Sequence, residues 1–88
     1  MGERASDELG RRVSEDERDL WREVKRRHRD SPYDRVRAAE AGRRSCGLHE
    51  ERARQIVRTW ANDGLVEPRN NASELHLTGY GEQFEFDT

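Results

Sequence analysis

Apolar residues recur with a helical period in three stretches of this chain and with a strand period in one. Behind Ser14-Glu15-Asp16-Glu17, where Ser14 reads as an N-cap and Glu17 as its capping-box partner, come Leu20, Trp21 and Val24. They predict a first helix from Ser14 to about Arg29, with Arg22, Lys25, Arg26, Arg27 and Arg29 on its other face and His28 as a further face residue. Ser31-Pro32 reads as the start of a second helix, Ser31 capping, Pro32 in the first position and Asp34 in the first turn. Tyr33, Val36 and Ala39 give it a short apolar face, which Glu40 interrupts. Gly42 either ends this helix or lies within a longer one. Between Gly47 and Gly64 the pattern is strongest: Ala53, Ile56, Val57 and Trp60 fall at i, i+3, i+4 and i+7 of a helix over about 49–62, and Gly64 suits a left-handed C-cap. Leu65-Val66 then opens a β-run. Leu75 and Leu77 share one face of a second strand with His76 on the other, Pro68 suits an edge strand, and Asn70-Asn71 suits a turn with positive φ. A hairpin over about 65–77 follows, its tip near Asn70 to Ser73. Thr78 caps a last helical turn that brings Tyr80 to Phe84, or else Phe84-Glu85-Phe86 is extended with both rings on one side. Residues 1–13 are polar and without period, a mobile tail ahead of a domain over 14–88.

Several of these residues stand in a familiar order: Gly47-Leu48 ahead of the third helix, Ala53, Val57 and Trp60 within it, and Gly64-Leu65-Val66-Glu67 at its exit. Leu77-Thr78-Gly79-Tyr80-Gly81 is similar to the L-T-x-x-G lead-in to the closing helix of many small bacterial and archaeal regulators. Over roughly residues 15 to 84 the chain resembles the winged helix-turn-helix family of DNA-binding domains. The resemblance implies a mainly α fold with a small β-hairpin, a three-helix core plus a two-stranded wing. It also implies sequence-specific binding of double-stranded DNA by a transcriptional regulator. The helix at about 49–62 would enter the major groove and the wing at about 65–77 would lie on the backbone. The sequence departs from the family pattern at Arg43-Arg44-Ser45-Cys46, which separates Gly42 from the glycine before the third helix.

Off the apolar stripe, the third helix presents Arg52, Arg54, Gln55, Arg58 and Thr59, residue types that meet phosphates and base edges. Carried over from the family, Arg54, Gln55 and Arg58 would be the base readers: arginine pairs bidentately with guanine and glutamine with adenine. Arg52, Arg43 and Arg44 would sit nearer phosphates, and Arg69 at the wing would complete the clamp.

Net charge changes this picture less than it first suggests. The total is −2, but residues 22–69 hold 13 Lys+Arg against 8 acids, net +5, between a net of −3 over residues 1–21 and −4 over 70–88. A basic centre with acidic ends favours local attraction to phosphate over indiscriminate sticking. The basic residues are 16 arginines and one lysine, Lys25, which fits a GC-rich genome or a salt-loving archaeal host. In the second case direct base contacts must carry more of the binding. With 88 residues, 31% of them hydrophobic, the large apolar side chains are all needed for one modest core. No stretch is apolar and long enough to span a bilayer and no hydrophobic segment follows Met1, so a cytoplasmic protein is expected.

Glu50 and Glu51 run against the DNA reading, since carboxylates in a first turn favour the helix dipole but repel phosphate; a glutamate can also accept from cytosine. Cys46 and His49 form a C-x-x-H pair that, even with His76, falls short of a zinc set, so no metal is expected. Cys46, at a helix N-terminus beside Arg43 and Arg44, is either a packing residue or a thiol of lowered pKa able to sense oxidants. A single cysteine excludes an intramolecular disulfide framework. Asn71-Ala72-Ser73 matches a glycosylation sequon, with nothing to direct the chain to the secretory route. There is no phosphate loop, paired-histidine motif or nucleophile with a base, so neither an enzyme nor a cofactor is expected. Duplex DNA and a second copy of the chain, in a homodimer, are the expected partners. The rival expectation is a winged helix used for protein–protein contact without DNA.

Overall fold

The computed structural model describes residues 11–86. It is mainly helical with one antiparallel hairpin: α1 Glu15–Asp30, α2 Ala38–Ser45, α3 Glu50–Asn62, β1 Val66–Arg69, β2 Glu74–Leu77 and α4 Gly79–Gln83. None of the described helices is long and apolar enough to cross a membrane.

The first helix begins where its cap predicts, Ser14 Oγ accepting from the Glu17 amide at 3.2 Å. Glu17 itself does more than close a capping box. Its carboxylate turns into the core, is 5% exposed, and accepts from the Trp60 indole N–H at 2.8 Å. Arg11 pairs with this carboxylate and reaches Asp63, the C-cap of α3, at 2.6 Å. Residues 1–10 of the expected tail lie outside the described residues. Packed structure nevertheless starts before Ser14, because Arg11 ties two elements together and Val13 is buried.

The second helix departs from its expected start. Ser31 to Asp34 forms a turn, the Asp34 amide donating to the Ser31 carbonyl at 3.1 Å, and Tyr33 is 94% exposed rather than core-facing. Val36 is extended and exchanges both backbone hydrogen bonds with Leu75, at 2.8 and 2.9 Å. A buried β-branched residue paired to a strand outcompetes a weak helical stripe that Glu40 already breaks. Helix α2 then starts at Ala38 without a side-chain cap, and the Ala39 amide is satisfied instead by the Ser73 carbonyl at 3.0 Å. It runs through Gly42 because that glycine is a contact point: a Cβ there would stand 3.2 Å from the Ala53 Cβ of α3. The helix ends at Ser45 with Cys46 as its C-cap, Gly47 turns the chain at a φ of +68°, and the connection to α3 is Cys46 to His49.

At the far end of α3 both bonds of a Schellman motif form, Leu65 N–H to the Trp60 carbonyl at 2.9 Å and Gly64 N–H to that of Ala61 at 3.1 Å. The hairpin pairs Val66 with Leu77 and Pro68 with Leu75. Since Leu75 spends its backbone groups on Val36, Pro68 occupies a site where no amide is needed. The turn holds three consecutive residues at positive φ, Asn70, Asn71 and Ala72. Ala72 is buried, so the tip folds back on the body instead of projecting.

Both endings foreseen for the chain coexist. Thr78 caps α4, accepting from the Gly81 amide at 3.0 Å, and Tyr80 meets Phe84 at 5.6 Å between ring centroids. Beyond it Phe84 and Phe86 are both buried, edge-on to Trp21, which in turn lies 4.9 Å from Trp60. Gly81 admits no side chain, because a Cβ would fall 2.0 Å from the Leu65 carbonyl oxygen. Lys25 is 6% exposed: its ammonium donates to the carbonyls of Gly81 and Phe84, at 3.3 and 2.8 Å, and to Glu85 at 2.9 Å. Instead of standing on a basic outer face, it closes the C-terminal end of the core.

Candidate nucleic-acid interface

Helix α3 is held on one side and open on the other. Ala53, Ile56, Val57 and Trp60 are all buried, and the α2 contact through Gly42 and the Schellman motif hold the two ends of the helix. Residues three and four apart share a helix face, so Glu51, Gln55, Arg58 and Asn62 form the line opposite the core, and all four are exposed.

The arginines of this helix meet acids of the same chain. Arg54 is the more enclosed, 26% exposed at its side chain, with Glu50 at 2.5 Å and Glu51 at 4.0 Å. Arg58 lies 3.5 Å from Glu51 and donates to the Asn71 side-chain oxygen at 3.3 Å, joining α3 to the hairpin tip. Arg52 faces the start of α1, with Asp16 at 3.7 Å and Ser14 Oγ at 3.3 Å. Thr59 gives its hydroxyl hydrogen to the Gln55 carbonyl at 3.0 Å, a bond within its own helix. Arg43 and Arg44 stand exposed in the last turn of α2, Arg44 at 3.8 Å from Glu40. Arg69 ends β1, bonded to Glu67 at 3.3 Å and to the Pro68 carbonyl at 3.0 Å. The fold thus gathers Arg54, Gln55 and Arg58 on or beside one outward line and turns Arg52 toward α1. Two residues of this surface were not among the expected DNA contacts. Asn62 follows Gln55 by seven positions and was recoverable from the helical period. Asn71 touches Arg58 only because the hairpin folds back, which no local pattern encodes.

Comparison with known protein families, curated proteins and solved structures finds no match to this chain.

The chemistry beside α3 is quiet. Burial pushes the Cys46 thiol above its ordinary pKa, with Asp19 and Glu23 adding to the rise. The idea of a thiol activated by Arg43 and Arg44 is therefore set aside, since desolvation outweighs any nearby cation. His49 is the N-cap residue of α3 but makes no side-chain cap bond. Among the described residues, no three of His, Cys, Asp and Glu converge as metal ligands do.

Proposed function

We propose that this chain is a winged helix-turn-helix that binds duplex DNA sequence-specifically, as a homodimeric transcriptional regulator of the cytoplasm. The observation that carries the reading is the exposed line of Gln55, Arg58 and Asn62, flanked by Arg54, on a helix whose opposite stripe is entirely buried. A rigid helix of 13 residues offering amide and guanidinium donors on one side fits a major groove, whose base edges present the matching acceptors. Three features support the fold assignment: the short connection between α2 and α3, the hairpin after α3, and the single-residue bridge of Val36 to Leu75 on the outer edge of β2. Arg43, Arg44 and Arg69 would meet phosphates on either side of the groove. The hairpin's folded-back tip gives it a short reach, which limits Arg69 to the adjacent backbone. Two modules on paired half-sites supply the interface that one small domain lacks.

The experiment is selection of bound sequences from a random duplex pool across a salt series, with Arg54→Ala/Arg58→Ala beside the wild type. An enriched motif that the double variant loses, while its unfolding free energy stays within about 0.5 kcal/mol of wild type, supports the proposal. Binding without enrichment points to nonspecific attachment, and no binding at any salt overturns the reading. A second reading, a winged helix for protein contact, draws on the pairing of Arg54 and Arg58 with Glu50 and Glu51, which leaves the face of α3 nearly neutral.

A further inference from the structure

Glu50 and Glu51 occupy the first turn of α3, where carboxylates interact well with the helix dipole. Any acid there would do so, but these two also take the arginines offered for reading. Glu50 lies one turn N-terminal to Arg54, the favourable order for such a pair, and holds it at 2.5 Å. Glu51 stands on the outward line itself, within 3.5 Å of Arg58 and 4.0 Å of Arg54. Arg58 has its second hand on Asn71 of the hairpin. The remaining arginine of α3, Arg52, faces Asp16. A helix rich in arginine thus shows little net charge to an approaching polyanion, although the chain around it is basic.

Resting on the DNA reading above, we propose that Glu50 and Glu51 are specificity-determining residues, an electrostatic filter on α3. On a duplex of arbitrary sequence, Arg54 and Arg58 can reach phosphates only by leaving their carboxylates facing phosphate charge. That repulsion subtracts from the sequence-independent part of binding. On the right sequence the same exchange is relieved: each arginine finds guanine O6 and N7, and Glu51 accepts from the amino group of a cytosine. The filter lowers affinity for all DNA and lowers it least where base edges replace both partners. The Glu51–Arg58 pair suits this exchange best, because both side chains are exposed and ion pairs in water are held weakly.

The test compares wild type with Glu50→Gln/Glu51→Gln, and with the single Glu51→Gln, on the enriched motif and on scrambled duplex across a salt series. Asp30→Asn/Asp34→Asn removes the same charge from the end of α1 and the turn after it as a control, and circular dichroism verifies that each variant is folded. Each released arginine that neutralises a phosphate steepens the logarithmic salt dependence by about 0.9, or roughly eightfold in affinity at 0.1 M salt. The expected result is a rise on scrambled duplex of up to roughly 60-fold for the double variant. The single variant should gain a smaller part of this, the control little, and the ratio of motif to scrambled affinity should fall. Unchanged binding to scrambled duplex, or an equal rise in the control, overturns the filter while leaving the DNA reading in place. A rise above the control in a protein that enriches no motif shows only a general brake on DNA binding and overturns both the role of Glu50 and Glu51 in specificity and the sequence specificity of the reading. If neither wild type nor variant binds DNA at low salt, the DNA reading fails and the filter with it.

Discussion

Trp60, on the inner side of α3, donates to Glu17, and that carboxylate is tied through Arg11 to Asp63 at the helix C-cap. Arg58, on the outer side of the same helix, meets Glu51 with both side chains in water. Both sides pair an arginine with a carboxylate, yet the inner contacts are closer and the consequences differ. The inner carboxylate is desolvated, so removing a partner leaves an uncompensated group. The outer carboxylate exchanges its partner for water, phosphate or a base edge at little cost. Burial, more than pairing, separates the part of this charged chain that holds the fold from the part available for recognition.

The sharpest way to break that comparison is Glu17→Ala. Loss of this carboxylate leaves the buried Trp60 indole without an acceptor and Arg11 with only Asp63, and is expected to destabilise by about 2–3 kcal/mol, read as a fall in the midpoint of urea unfolding. An effect as small as that of Arg54→Ala/Arg58→Ala would erase the distinction between the two sides. Next comes Lys25→Met, which keeps an apolar stem over Trp21 but strips the Gly81 carbonyl of its side-chain donor and leaves that of Phe84 with only the Trp21 indole. A loss of about 1–3 kcal/mol is expected, and thermal unfolding followed by tryptophan fluorescence reads it directly, because Trp21 lies against the same C-terminal segment.

The smallest effect belongs to Glu23, an intermediate case on α1. Arg26 and Arg27 hydrogen-bond its carboxylate and lower its pKa from the ordinary 4.5 to about 2, against an opposing desolvation. A depressed carboxylate contributes stability that is complete above its unfolded pKa and lost as pH falls through the folded one. The contribution should therefore be present at pH 5.5 and fade between about 4.5 and 2. Because Arg26 is exposed, its size is at most about 1 kcal/mol. Urea midpoints of wild type and Glu23→Gln should differ at pH 5.5 and converge on acidification; a difference independent of pH would assign the effect to packing instead.

The pattern of apolar spacing and capping residues was enough to locate α1 and α3, both glycine stops of the third helix, the asparagine turn and the Thr78 cap, each within about a residue or two of its observed place. These are local features: a helical period, a cap three residues from its amide, and a backbone angle that glycine or asparagine tolerates can all be read from neighbours along the chain. The start of α2 was not legible, because Val36 is extended only through its pairing with Leu75, a partner 39 residues away. Gly42 looked like a stop until Ala53 of the next helix was placed against it. The inward turn of Glu17, the burial of Lys25 and the bond from Arg58 to Asn71 share that origin, whereas the pairing of Arg54 with Glu50 is a local, one-turn contact along α3. By itself the sequence determined which residues form elements, which stripe of each is apolar, and which residue types lie off it. Only the tertiary structure decided which charges are buried and what each one touches beyond its own helix. Beyond the neighbouring turns of its own helix, a charged side chain has no preferred partner until packing sets its neighbours and the dielectric in which they meet.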